Sequence, residues 1–306
     1  MTCLREDRYP DSMQDFKRIL FPVDFSRQCT GTIPFVKEMV GKFAAALTLF
    51  HVVQIPVDWY GTMSSPAMGY GGAFEEYYRL GEQHMAAFRS EHFGDTHSVA
   101  TICEWGDPGD AILARAEKAD TDLIMMATRG HGPFAGFLLG STAAKVLHRA
   151  VCPVWTAAHL DSDGEDLPAA HVRVRNILCA VDLEKDSGHV IQSAAALADK
   201  LSAEVRLVHC VPASEGGPAA KFDFEFNRFL VDSARQGLAR MQAEVNSSFE
   251  VFLAFGSVSK VVRDEALSRE TDLVVVGRGH VKSPFSRLRS NAYAIIRDAP
   301  CPVLSL

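Results

Sequence analysis

The chain has 306 residues, 47% of them hydrophobic and 23% charged, and carries a formal net charge of −7. That length suits two average domains, and the acidic balance argues against a nucleic-acid coat, whose surface is usually basic. No apolar run approaches the roughly 18 residues of a membrane span, and the N-terminal stretch MTCLREDRYPDSMQDF is polar, without the apolar centre of a signal peptide. A cytoplasmic protein with no membrane association is the expectation. Seven cysteines, none in a C-x-x-C pair, suit a reducing compartment and argue against a disulfide framework or a zinc knuckle, so no metal site is expected.

In chain order, short apolar runs alternate with longer amphipathic segments. The patterning predicts strands at 18–24, 46–53, 98–103, 122–127 and 153–157, and helices over Pro34–Ala45, Phe74–His92, Asp110–Lys118 and Thr142–Ala150. Trp59–Gly72, rich in Gly, Ser and Met, reads as a mobile loop after the second strand, placed to cover a ligand.

The chain then repeats itself. RILFPVDF at 18–25 returns as RNILCAVDL at 175–183, with Asp24 and Asp182 158 positions apart. LTLFHVV at 47–53 returns as VRLVHCV at 205–211, with His51 and His209 at the same offset. DLIMMATRGHG at 122–132 matches DLVVVGRGHV at 272–281 at an offset of 150, and AVCPVWT at 150–156 matches APCPVLS at 299–305 at 149. Four landmarks in one order mean a duplicated unit. The expected organisation is a tail at 1–16, a first domain at 17–157, an acidic linker at 158–172 and a second domain at 173–306. Strands apolar on both faces, alternating with helices, imply a parallel sheet covered on both sides. Right-handed crossovers then lead to two doubly wound α/β domains of five strands each.

In such a sheet, ligands sit beyond the carboxyl ends of the strands where strand order reverses. The glycine-rich stretch ATRGHGPFAGFLLGSTA, residues 127–143, occupies such a place. It is not a dinucleotide fingerprint, because position 135 is alanine, and it lacks the G-x-x-x-x-G-K-[ST] of a P-loop. What remains is Gly140-Ser141-Thr142 opening a helix, whose first N–H groups face an approaching anion at its positive end. Equally open at this point is that Gly130 and Gly140 are turn residues and Ser141 only caps the helix.

The combination of motifs resembles the universal stress protein family in its tandem form. Pro22-Val23-Asp24-Phe25-Ser26 matches the family's P-x-D-x-S, His51-Val52 its second strand end, and Cys152-Pro153-Val154 its final strand. The loop is similar to the family's G-x2-G-x9-G-[ST], with Ala127 in place of the first glycine. The similarity spans nearly all of 17–157 and 173–306. It implies a Rossmann-like, adenine nucleotide alpha hydrolase-like fold and an adenine nucleotide in the first domain: ATP, or ADP or AMP, with Mg accompanying ATP. It implies that Asp24 and Val52 contact adenine and ribose, and that Gly130, Gly140, Ser141 and Thr142 hold the phosphates beside Ala127.

The second copy departs from the pattern. Asp182 is retained, but Cys210 replaces Val52, His280 replaces Gly130, and Arg289 replaces Gly140 ahead of Ser290, the counterpart of Ser141. Three outcomes stand open: an empty structural site filled by Arg289, a different anion bound through His280, Lys282, Arg287 and Arg289, or a nucleotide in altered geometry. His51 and His209 read as core imidazoles, and Phe222, Phe224, Phe226 and Phe229 as core or partner-helix packing. No constellation for hydrolysis stands out near the phosphates beyond Ser141, Thr142, His131 and Arg129, with Asp107 and Asp110 able to approach. Binding with little or no catalysis is favoured. The alternatives are a slow nucleotide-hydrolysing enzyme and a purely structural or interaction protein. The edges left by the last strands predict an intramolecular pseudo-dimer of the two domains, compatible with a homodimer.

Overall fold

The computed structural model describes residues 15–54, 71–94, 98–128, 139–157, 173–184, 186–211, 220–278 and 290–306. The first repeat comprises β1 (Arg18–Pro22), α1 (Arg27–Phe43), β2 (Ala46–Val53), α2 (Gly71–Phe93), β3 (Val99–Trp105), α3 (Pro108–Lys118), β4 (Leu123–Ala127), α4 (Ser141–Arg149) and β5 (Val154–Ala157). The second comprises β6 (Asn176–Ala180), α5 (Ser187–Leu201), β7 (Glu204–Val211), α6 (Ala220–Glu244), β8 (Glu250–Phe255), α7 (Val258–Ser268), β9 (Leu273–Val276), α8 (Ser290–Asp298) and β10 (Val303–Ser305).

The strands form one ten-stranded sheet in the order β3-β2-β1-β4-β5-β10-β9-β6-β7-β8. Each repeat is parallel throughout, and the two meet where β5 and β10 pair antiparallel, Trp155 opposite Leu304. The expected pseudo-dimer thus takes the form of edge-to-edge pairing, which removes two strand edges from solvent. Two equivalent buried hydroxyls reinforce it: Thr156 Oγ1 donates to the Val303 carbonyl and Ser305 Oγ to that of Val154, each at 3.2 Å. Apolar side chains line both faces of the sheet. One layer joins Ile33, Val36 and Met85 to Ile191, Leu197 and Leu238. The other joins Ile112, Val146 and Leu147 to Val262, Ile295 and Ile296, so each layer runs through both repeats.

The recurring Asp-Leu landmarks have a structural cause. Asp122 Oδ2 accepts the backbone N–H groups of Lys17 and Arg18, and Asp272 Oδ2 those of Arg175 and Asn176. Each carboxylate satisfies donors at the start of its repeat's first strand, which would otherwise be unpaired.

Several boundaries differ from the sequence expectation. Helix α1 begins at Arg27, with Pro34 inside it, because Ser26 caps it: its Oγ accepts from Cys29 N. A side-chain cap contributes about 1 kcal/mol and outweighs the signal of a proline at a helix start. Gly71 and Gly72, placed in the loop by sequence, open α2; the rest of that loop from 59 to 70 lies outside the described residues, as does the linker 158–172. Phe16, assigned to the tail, is buried and packs on Phe43 with ring centroids 5.0 Å apart. No helix among the described residues is long and apolar enough to cross a membrane.

Candidate functional site

Strand β1 lies between β2 and β4, so the chain winds outward to β3 and returns on the other side of β1. The β1–β4 boundary is the switch point at which an open α/β sheet leaves a crevice. Two clusters of sequence-predicted residues flank it.

The first cluster stands at the exits of β1 and β2. Asp24 is exposed, and its Oδ1 accepts from Ser26 N at 2.9 Å and Ser26 Oγ at 2.6 Å, while Ser26 Oγ accepts from Cys29 N at 3.1 Å. The carboxylate therefore fixes the turn and the cap of α1 together, with Phe25 between them in the left-handed region at φ 61°. His51 Nδ1 lies 2.8 Å from the Val23 carbonyl, tying the two strand exits together. Burial foremost pushes its pKa below the ordinary imidazole value, against the opposing pull of that carbonyl and of Asp24. Val52 is buried in β2.

The second cluster stands at the exit of β4. Ala127 ends the strand, and Gly140 N donates to the Thr128 carbonyl at 2.9 Å, bringing the start of α4 back to it. Gly140 is the N-cap of α4, at φ −62° and ψ 150°, and no side chain caps the helix. Ser141 is its first helical residue and is exposed; Thr142 is half-buried. The reading of Ser141 as the cap is therefore corrected. In the first repeat α1 is capped by Ser26, and α3 by Asp107, whose Oδ1 accepts from Asp110 N, whereas α5 and α7 of the second repeat, like α4, have no side-chain cap. A helix start without a side-chain acceptor presents its partial positive charge outward. Gly130, Arg129 and His131 lie outside the described residues.

Asp107 and Asp110, expected to be able to approach the phosphates, are committed elsewhere. Lys145 Nζ of α4 lies 2.9 Å from Asp107 Oδ1 and 2.7 Å from Asp110 Oδ2, and Arg149 lies 2.8 Å from Asp110 Oδ1. Lys145 is the main cause holding both carboxyls below the usual carboxylate range. The stem of Lys145 crosses directly over Gly109, where a Cβ would stand 2.5 Å from its Cδ. The group fastens α3 to α4.

The second repeat reproduces the first cluster. Asp182 Oδ1 accepts from Glu184 N at 3.1 Å and Ser187 Oγ at 2.8 Å, Leu183 has φ 64°, and His209 Nδ1 lies 2.8 Å from the Val181 carbonyl. Asp182 thus has the same turn-fixing role as Asp24. Cys210 Sγ donates to the Gly256 carbonyl at 2.9 Å. His280 and Arg289 lie outside the described residues, and Ser290 is the first residue of α8. A Cβ at Gly277 would stand 2.9 Å from Val190 Cγ2, so a side chain there would have to displace Val190 of α5.

Sequence reasoning missed Arg278. It is buried, donating through Nε to the Leu306 carbonyl and through its two terminal nitrogens to those of Ala150 and Cys152 in the first repeat, the latter two at 2.8 Å each. The offset of 150 puts it at the position of Thr128. The available signal was a guanidinium two residues after a fully apolar strand, where the first copy has a small hydroxyl. Phe224, Phe226 and Phe229 are 72%, 49% and 64% exposed, so the expectation of core packing is corrected for these three.

Comparison with known proteins agrees with this architecture. The model of the universal stress protein family matches residues 15–157 and again 173–306. The universal stress protein in the QAH/OAS sulfhydrylase 3′ region of Thermus aquaticus is 30% identical over 142 residues, 45% of this chain and 96% of that protein. A universal stress protein of Synechocystis is 26% identical over 155 residues, 47% of this chain and 99% of its own. The crystal structure of a universal stress protein from Archaeoglobus fulgidus superposes with a TM-score of 0.63 at 18% identity, covering 95% of this chain and 97% of that one, which supports the fold. Matched by the family model in each of its two repeats, the chain belongs to the universal stress protein family, in tandem form.

Proposed function

We propose that this protein is a cytoplasmic stress-response regulator that binds one adenine nucleotide in its first repeat, ATP before ADP or AMP, with little or no catalysis. The observation that carries the reading is the start of α4 at Gly140, which has no side-chain cap and is held at the exit of β4 beside the β1–β4 switch point. Backbone N–H groups in that position suit phosphate. Ser141 and Thr142 add hydroxyl donors, and Mg accompanies the triphosphate. Val52 and the turn held by Asp24 border the crevice on its other side, where the base and ribose sit. Binding is favoured over turnover because Asp107 and Asp110, the acids expected to be able to approach the phosphates, are engaged by Lys145 and Arg149. A nucleotide-dependent change at α4 would reach partner proteins through this surface, and two chains can associate further as a homodimer.

The test is the nucleotide released on heating freshly purified protein, together with calorimetric titration of ATP with and without Mg. One nucleotide per chain supports the reading. Two per chain would remove the asymmetry between repeats, and none at millimolar ligand would leave a structural or interaction role. Repeated turnover abolished by one acid or base substitution would establish an enzyme.

A further inference from the structure

Strand β8 is an edge of the sheet, and between it and α7 lies a cavity of about 500 Å³. Phe252, Ala254 and Val261 line it with apolar surface, the more exposed Phe255, Lys260 and Asp264 also border it, Asp264 paired with Arg263 at 3.6 Å, and Glu265 contributes a buried carboxylate. Glu265 is only 5% exposed. Its Oε1 accepts no hydrogen bond: Arg269 Nε lies 3.3 Å away as an i,i+4 ion pair, without hydrogen-bond alignment. Its Oε2 has a long contact, 3.4 Å, from Ser268 Oγ. The charge is thus balanced by Arg269, but a buried Oε1 without an aligned donor still has room for one more hydrogen bond.

The first repeat shows what the same place holds when it is filled. Trp105 and Phe255 close their strands opposite Val53 and Val211, and Gly106 and Gly256 follow with φ of 148° and 141°. The helices α3 and α7 are both 11 residues long, so residues correspond at an offset of 150. Glu104 of β3 then corresponds to Ala254, and Arg115 of α3 to Glu265. In the first repeat Glu104 and Arg115 form an ion pair between strand and helix, with the guanidinium 5.7 Å from the Phe50 ring centroid. In the second repeat the counterparts are a methyl group and a carboxylate, and both line the cavity.

We propose that this cavity binds the cationic head of a small organic guanidine or amine. The cation occupies the volume that Glu104 fills in the first repeat and pairs with Glu265. Its apolar stem lies over Ala254, Phe252 and Val261. The volume falls within the range of small-molecule sites, about 300–1,000 Å³, and an apolar floor with one buried charge is the arrangement that orients such a ligand. At the rim Lys260 and Asp264 carry opposite charges, so the buried Glu265 is the one charge that the lining itself does not balance, and it suits a single positive centre carried on a short alkyl chain. The site is independent of nucleotide binding in the first repeat.

The test is calorimetric titration of the full chain with n-butylguanidinium and n-butylammonium chlorides at constant ionic strength, with n-butanol as the uncharged control. Saturable binding of the cations is expected. It should weaken by about tenfold or more in Glu265→Gln, as the loss of a charged hydrogen-bond partner requires. It should vanish in the double variant A254E/E265R, which rebuilds the ion pair of the first repeat and is expected to keep the circular dichroism spectrum and thermal midpoint. If the double variant does not fold, Glu265→Gln, which preserves shape, decides alone. No saturable heat with the wild-type protein, unchanged affinity in Glu265→Gln, or equal binding of n-butanol would overturn the proposal.

Discussion

Arg278 of the second repeat donates to the Cys152 carbonyl of the first at 2.8 Å, with a sister bond of the same length to Ala150. The second residue after β9 has thus become a clamp on the seam between repeats. A planar guanidinium suits this because its donors diverge in one fixed fork, which an ammonium cannot reproduce. Arg278→Met keeps bulk but leaves three buried carbonyls without this donor, and should cost about 2–4 kcal/mol. Arg278→Lys should recover only part of that. Urea unfolding of the three proteins checks the expectation, and a loss below about 0.5 kcal/mol in Arg278→Met, the level of an ordinary surface substitution, would show that the clamp is idle.

Gly140 offers a sharper probe of the nucleotide reading than its loop neighbours. Its φ of −62° and ψ of 150° are open to any residue, so a side chain there need not strain the backbone. Gly140→Arg, which installs the residue that precedes α8 in the second repeat, should leave the thermal midpoint nearly unchanged. Its bulk should lower ATP affinity by about a hundredfold or more, the scale of losing two or three phosphate hydrogen bonds. Calorimetry on the folded variant reads the two effects separately; wild-type affinity would mean that phosphate does not sit at this helix start.

The repeat, the parallel strands and the pairing of the last strands are legible in the sequence because each rests on local pattern: β-branched runs, fixed offsets and strands ending in aspartate. Asp24 and His51 stand out for the same reason. What sequence does not show is how Asp24 divides its bonding, because the Ser26 contacts depend on a left-handed Phe25 that no motif announces. Pro34 misplaces the start of α1 because a proline signal is local while the Ser26 cap depends on the turn before it. Arg278, the Glu104–Arg115 pair and its absence in the second repeat depend on side chains meeting across elements far apart in the chain, so composition and periodicity are silent about them.

His51 gives the protein an acid-side sensitivity. Burial lowers its folded-state pKa below the ordinary 6.5, so the unfolded chain binds more protons in this window. The stability it contributes is therefore complete above pH 6.5 and is lost as pH falls towards and through the folded value. His51→Gln should cost about 1 kcal/mol at neutral pH for the lost bond to Val23, and should flatten the pH dependence of the thermal midpoint below pH 6.5. A titration midpoint at or above 6.5 for His51 by NMR would contradict the assignment.

The buried cysteines make a last prediction about chemistry the fold suppresses. Burial is the leading cause that pushes the thiols of Cys29, Cys179 and Cys301 up to about 12 and that of Cys152 to about 11. Only thiolate reacts with an alkylating reagent, and a thiol raised from about 9 to about 12 has roughly a thousandfold less thiolate at pH 8. Cys103 and Cys210 are partly exposed, and burial raises them too. Iodoacetamide at pH 8 followed by peptide mapping should therefore modify Cys103 and Cys210 well before the buried four. Those four should react only at the rate of global unfolding, so the order should disappear in denaturant. Labelling of Cys179 as fast as Cys210 in the native protein would mean that the sheet core opens far more readily than its packing implies.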